Sequence, residues 1–309
     1  MNTNNFKKIF IGATIVVFFV IVGMFTIHQK LYTGTSEQGF LVYAYDTESI
    51  VKGDKLANSV CVYDFNNNEE LIYSVEGYKN IINVGQYVGG DFCCIGITTN
   101  NDNDILLFSG GRIIKSINVP MELLQVAAYD DIIYFIGDGA LYSVEINSNN
   151  FNLISDCLYD YHFSISENGR LAFVENILLE NGKIENMLLC VYFQGQKQYF
   201  EFGESSEYWI SNSEIVSMAF LSKNDTFTNN KYIINVDTKE WEKNDLFEDV
   251  YGIATISPEY QKILYWSYSD EYLHVMDFTT KKNGIISLMD VDYSCMQKQF
   301  VWLVENPMG

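Results

Sequence analysis

The sequence predicts an all-β chain, a six-bladed β-propeller with seven blades as the rival count, preceded by one N-terminal transmembrane helix. Three observations predict it. Residues 9–27 carry no charged side chain. Beyond residue 39 the chain shows no long amphipathic helical pattern, only short runs of aromatic and β-branched residues punctuated by Asn, Asp and Gly. Those runs recur in the same order six times, with opening strands starting at Phe40, Phe92, Ile132, Leu171, Ile215 and Ile263, so the spacings are 52, 40, 39, 44 and 48 residues.

The apolar run reads IFIGATIVVFFVIVGMFTI over residues 9–27. At about 1.5 Å per residue such a helix nearly spans a hydrocarbon core of about 30 Å. A secretory signal peptide is the rival. However, the run is longer than a signal core, no small-x-small cleavage site follows at His28, Gln29, Lys30 or Leu31, and no lipobox-type Cys stands behind it. An uncleaved signal anchor is therefore expected. Lys7 and Lys8 place the tail, residues 1–8, in the cytoplasm and the bulk of the chain outside, against the single opposing charge of Lys30.

Charge separates sharply along the chain. All forty acidic residues lie after Lys30, against sixteen Lys and Arg, so residues 31–309 carry a net charge of −24. Clustered cations are what phosphate backbones need, so nucleic acid is excluded as a partner. An anionic membrane surface would repel the same domain, which predicts that it stands off the bilayer on a stalk, residues 28–39, containing Gly34, Ser36 and Gly39.

Residues 40–309 are expected to form the extracytoplasmic propeller. The first unit reads FLVYAYDT, SVCVYDFNNNE, LIYSV, and a late one reads ILYWSYSD, YLHVMDFTTKK, IISL. In five units a short strand precedes the opening one: VAAY before Asp130, HFSIS before Glu167, YWIS before Asn212 and YGIATIS before Pro258 are examples. These supply the innermost strand of a four-stranded blade. The first unit lacks one, and Tyr293 to Met296 is expected to close the ring by joining it, hiding edges that would otherwise template aggregation. Phe300 to Val304 is left over as an extra strand.

Ser257-Pro258-Glu259-Tyr260-Gln261-Lys262-Ile263-Leu264-Tyr265 resembles the Ser-Pro-Asp-Gly-x-x-hydrophobic-hydrophobic-Tyr turn of WD-like propeller repeats, as in TolB and the propeller domain of dipeptidyl-peptidase IV relatives. Ser166-Glu167-Asn168-Gly169-Arg170-Leu171-Ala172-Phe173 is a looser copy, and the other units keep only the strand rhythm. The resemblance implies the fold and a binding platform rather than any one activity.

Residues that carry catalysis are few. Of the three histidines, His28 flanks the apolar run, while His162 and His274 sit in strand runs without the i, i+4 spacing of a zinc helix. No Gly-x-Ser-x-Gly elbow occurs, and neither Gly89-Gly90 nor Gly110-Gly111 is followed by the Lys-Ser/Thr of a phosphate loop. Asn100-Asn101-Asp102-Asn103-Asp104 offers hard oxygen ligands for calcium, but Ile105 and Arg112 stand where an EF-hand needs Gly and Glu, so a hairpin loop is the better reading. Asp130-Asp131 and Glu69-Glu70 read as turn residues, since neighbours on a strand point to opposite faces. No metal or cofactor is expected. Cys61, Cys93, Cys94, Cys157, Cys190 and Cys295 lie mostly inside strand runs and read as buried thiols rather than a disulfide framework.

The aromatic load remains: 22 Tyr, 21 Phe and 4 Trp. Most must fill the wedges between blades. Those at the starts of inner strands, Tyr161, His162, Tyr208, Trp209, Tyr251 and Tyr293, with Glu207 and Asp292, are expected to rim one mouth of the central channel and to stack a sugar or clasp a peptide. The functional expectation is a non-catalytic binding or assembly module at the cell envelope, for a protein, peptide or glycan. The alternative is an envelope carbohydrate-active enzyme whose mouth carboxylates act as acid and base.

Overall fold

The computed structural model describes residues 38–44, 58–179, 182, 184–201, 208–217, 231–267, 270, 272–278, 280–286 and 299–308. The apolar run at residues 9–27 lies outside them. Among the described residues there is no α-helix, only one 3-10 turn at Asp245–Phe247, and no helix long and apolar enough to cross a membrane.

The fold is an all-β, propeller-like ring of antiparallel meanders. One is built from β24 (Phe300–Leu303), β1 (Phe40–Ala44), β2 (Ser59–Asp64) and β3 (Glu69–Ser74). Next come β4 (Tyr78–Val88), β5 (Phe92–Thr98), β6 (Asn103–Ser109) and β7 (Arg112–Val119), then β8 (Leu123–Tyr129), β9 (Ile132–Gly137), β10 (Ala140–Glu145) and β11 (Asn152–Ser155). The fourth meander is β12 (Leu158–Ile165), β13 (Leu171–Leu178), β14 (Ile184–Phe193) and β15 (Gln196–Phe200). The fifth is β16 (Tyr208–Trp209), β17 (Glu214–Ser217), β18 (Tyr232–Asn235) and β19 (Trp241–Lys243), and the sixth is β20 (Val250–Ile256), β21 (Lys262–Ser267), β22 (Leu273–Asp277) and β23 (Asn283–Ile286). Four of these meanders are separate four-stranded sheets. The second and third share one eight-stranded sheet, because β4 and β8 pair in parallel at Tyr87↔Ala128 and Val88↔Tyr129.

The leading strands β24, β4, β8, β12, β16 and β20 each touch the next, and β20 touches β24, so they close a ring around a central channel. The predicted opening strands are the second strand of each meander, starting at or one residue before the predicted positions. The closing strand differs from expectation. Tyr293 to Met296 lies outside the described residues, and Phe300–Leu303 pairs with β1 instead, with Phe40↔Leu303 through Tyr43↔Phe300 in register. The reason is burial: Phe300, Val301 and Trp302 all enter the core, Trp302 stacks on Phe65 with centroids 4.8 Å apart, and its Nε1 donates to the Gln38 carbonyl at 3.1 Å.

Both faces of each sheet are covered, which is why strands such as FCCIGIT and KILYWS read as continuous apolar runs rather than alternating ones. The core is a series of wedges between neighbouring meanders. Ile133, Phe135, Ile105 and Leu107 fill the one between the second and third, and Phe163, Phe173, Ile136 and Leu141 the one between the third and fourth. Each such side chain contributes about 1.5–3 kcal/mol by leaving water. Cys93, Cys94 and Cys190 are buried thiols packed in this way and Cys61 is buried with them, while Cys157 is half-buried and Cys295 lies outside the described residues.

Candidate functional site

The ring encloses a cavity of about 490 Å³ lined by stretches of all six leading strands and the turns that follow them. Of the predicted site residues, His162, Tyr208 and Trp209 line it. Tyr161 is 60% exposed and lies outside the lining, over the Asp138-Gly139 turn of the third meander. Tyr251 is half-buried and packs against the core of the first and sixth meanders instead, because a bulge between Val250 and Gly252 re-aims it. Glu207, Asp292 and Tyr293 lie outside the described residues.

Tyr161 and His162 part company because β12 is bulged. Leu158 pairs with Glu175 and Phe163 with Phe173, so residues 159–162 face the single residue Val174. A bulge of this size turns successive side chains in directions that a regular strand forbids, with Tyr161 outward and His162 into the wall. Gln125 on β8 anchors its end. That side chain is 5% exposed, its Nε2 donates to the Phe163 carbonyl at 2.6 Å, and its Oε1 accepts from the Phe163 amide at 2.9 Å. Sequence reasoning missed Gln125, although one amide inside the apolar run LLQVAAY was the available signal.

The His162 ring lies 5.1 Å from that of Tyr208, and burial pushes its imidazole down to about 4, so it is neutral at physiological pH. Its Nδ1, the Ser164 Oγ and the Nε1 of Trp209, itself 3% exposed, meet no hydrogen-bond partner among the described residues. Among the described residues the lining contains two carboxylates, Asp91 and Glu167, and no Lys or Arg. Asp91 Oδ2 accepts the Gly110 amide at 2.7 Å, which ties the β4–β5 turn to the β6–β7 turn. The Glu167 amide donates to the Tyr260 hydroxyl at 3.0 Å, and burial raises that hydroxyl's pKa to about 12. The described part of this wall is neutral to acidic and aromatic in part.

The other candidates are structural. Asp104 accepts hydrogen bonds from the Tyr78 hydroxyl, Ser116 Oγ and Asn118 Nδ2 at 3.0, 3.1 and 2.9 Å, and the Asn100 and Asp102 amides donate to Thr98 Oγ1. The segment is a hairpin with Asn101 in the left-handed region. His274 Nε2 lies 2.8 Å from Asp270 Oδ1. Partial burial pushes the Asp270 carboxyl up, but hydrogen bonds from His274 and the Tyr272 amide outweigh this and hold it below the usual range. Among the described residues no three His, Cys, Asp or Glu side chains converge to hold a metal.

No protein-family model matches the chain, and no curated protein sequence matches it either. Its structural neighbours are propellers. TolB from Acinetobacter baumannii superimposes with a TM-score of 0.57 at 12% identity over 86% of this chain and 66% of that one, so the chain spans just under two thirds of that TolB. A structure described as a putative TolB from Agrobacterium tumefaciens gives 0.52 at 10% identity, covering 86% and 94% of the two chains. A chain of a nidogen/laminin complex gives 0.51 at 10% identity, covering 84% and 95%. At these identities the likeness is one of fold, a TolB-like β-propeller.

Proposed function

We propose that the chain is a six-bladed propeller, each meander being one blade, held at the cell envelope by residues 9–27 and acting as a non-catalytic binding or assembly module. The eight-stranded sheet is read as two blades zipped at their inner strands. The tail, residues 1–8, lies in the cytoplasm and the propeller outside, as the flanking Lys7 and Lys8 imply. The observation that carries the binding reading is the channel wall: a ligand-sized cavity with His162, Tyr208 and Trp209 in it, and no cationic side chain among the described lining residues. The ligand is an envelope protein, peptide or glycan.

The test uses full-length, detergent-solubilised protein on peptide and glycan arrays, with hits repeated in solution and the ligand recovered for mass spectrometry. Saturable binding that falls at least tenfold, about 1.4 kcal/mol, in Tyr208→Ala, with the ligand recovered intact, supports the reading. Cleaved ligand overturns it in favour of a carbohydrate-active enzyme.

A further inference from the structure

Each leading strand runs into a turn, and direct contacts gather those turns at one end of the ring. The Asp130 amide after β8 donates to the Val88 carbonyl at the end of β4 at 2.8 Å. Asn168 Nδ2, after β12, donates to the Asn212 carbonyl after β16 at 3.4 Å, and the Tyr260 hydroxyl after β20 accepts the Glu167 amide at 3.0 Å. The connections that follow the six leading strands, residues 89–91, 130–131, 166–170, 210–213, 257–261 and 304–308, are all described. They hold six carboxylates, Asp91, Asp130, Asp131, Glu167, Glu259 and Glu305, and one cation, Arg170, whose guanidinium is taken by Asp237 at 2.8 Å. None of the six carboxylates forms an ion pair among the described residues. The cations Arg112, Lys239 and Lys281 stand instead where the third and fourth strands of their meanders join, away from the ring axis.

Solubility alone would account for acidic turns, but not for the wall behind them. The cavity lining runs into this end through Gly90, Asp91, Glu167 and Pro258. In the same lining Trp209, the last residue of β16, is 3% exposed, and its Nε1 meets no acceptor among the described residues. Ser164 Oγ, two residues before the turn after β12, is equally without a partner there. An indole N–H can only donate, so this buried group calls for an acceptor. Metal coordination does not supply the explanation, because no three acidic side chains among the described residues converge as ligands do.

We propose that this end of the ring binds an extended cationic peptide segment, with Lys or Arg side chains meeting the carboxylates of the turns and a backbone carbonyl accepting from Trp209. The inference rests on the channel being the binding site and narrows its ligand to one class. Neutral sugars bring no charge to the ring of turns, and a bare polyamine brings no carbonyl to the indole. Attraction of this kind speeds encounter and fades with salt, as the Debye length shrinks from about 30 Å at 0.01 M to about 8 Å at 0.15 M.

The experiment measures fluorescence anisotropy at low salt, with full-length protein in non-ionic detergent and a dye-labelled peptide of four Gly-Ser-Lys repeats. The same peptide with Gln in place of Lys is the neutral probe, and spermidine is the competitor without a carbonyl. The Lys peptide should bind saturably and the Gln peptide at least about tenfold more weakly. Asp131→Asn, Glu167→Gln and Glu259→Gln together remove three exposed charges of this end and should raise the Kd for the Lys peptide about tenfold, or about 1.4 kcal/mol. Glu76→Gln, Glu185→Gln and Glu242→Gln make the same change in net charge at exposed positions outside these turns and should raise it about twofold or less. Trp209→Phe should weaken the peptide and leave spermidine unchanged, with melting temperatures compared so that lost fold is not read as lost binding. Equal losses in the two triple variants reduce the effect to net charge and overturn the proposal. Spermidine that competes as well per charge, with Trp209→Phe silent, overturns the peptide in favour of a plain cation site. Either result leaves the binding reading standing, as does an array ligand that is neutral or acidic, which also overturns the cationic class. Absence of any saturable ligand overturns both.

Discussion

Gln125 holds Phe163 as a neighbouring strand would: one side-chain amide gives and takes a hydrogen bond with the backbone of a single residue on the adjoining meander. This joins β8 to β12 where the β12 bulge ends and positions Phe163 in the wedge between the third and fourth meanders.

Gln125→Leu fills the same space but strands the Phe163 amide and carbonyl in a buried place. A loss of about 2–4 kcal/mol is expected, since each orphaned group costs about 1–3 kcal/mol. Urea unfolding with an unchanged m-value would report it. A change below 0.5 kcal/mol, on the order of an ordinary surface substitution, would show that the bulge is held by other contacts.

His162 makes stability depend on pH. Its folded value is about 4 against an ordinary 6.5, so between these the unfolded chain binds the extra proton and the folded one does not. Stability should be full above about 6.5 and fall as the pH drops towards 4, by on the order of 3 kcal/mol at most. Asp270, whose carboxyl is held low, loses stability on acidification too, in the range below the usual carboxylate value. Comparing His162→Gln with the parent at pH 7.5 and pH 5 isolates the histidine, and parallel curves would refute its part.

Glu175 is buried on the fourth meander, with Lys197 Nζ at 2.6 Å from Oε1 and the Tyr199 hydroxyl at 2.7 Å from Oε2. Lys197→Met should cost about 3 kcal/mol by leaving the carboxylate without its cation, and the double change with Glu175→Leu should recover much of it. A double-mutant cycle with no coupling would sink this account.

Thiol chemistry should follow burial. Cys93, Cys94 and Cys190 are pushed well up by desolvation; Cys157 is raised first by its hydrogen bond to Asp156, but it alone of the five described cysteines is not fully buried. In a Cys295→Ser background, a disulfide-exchange reagent should label one thiol in the folded protein, at Cys157, and five after unfolding. Labelling at Cys93 or Cys94 without unfolding would contradict the packing.

Trp302→Ala tests the ring closure. It removes the stack on Phe65 and the bond to Gln38, so a loss of about 3–5 kcal/mol is expected, together with greater protease sensitivity at β24 and β1. Retention of full stability would place the closing contact elsewhere.

Much of the fold was legible before any coordinates. Repeat spacing located the second strand of each meander to within one residue, because both faces of these sheets are buried and apolar runs end where turns begin. The candidate site was legible only in part. His162, Tyr208 and Trp209 line the cavity, while Tyr161 and Tyr251 do not, since bulges change where a side chain points and alternation along a strand assumes none. The choice of Phe300–Leu303 over Tyr293 to Met296 was invisible locally, for both are short apolar strands, and only the buried contacts of Trp302 distinguish them. Gln125 and Tyr260 act on residues 38 and 93 positions away, through hydrogen bonds that no periodicity encodes.

By itself the sequence determined the class of chain: an uncharged stretch at residues 9–27, an acidic remainder, and a recurring strand order that can bury its apolar faces only by stacking copies around a ring. These follow from local composition and period. Tertiary structure alone decided which strand closes the ring, which aromatic residues reach the channel, and that Tyr260 of the sixth meander bonds the Glu167 turn of the fourth, because each is settled by packing between segments far apart in the chain.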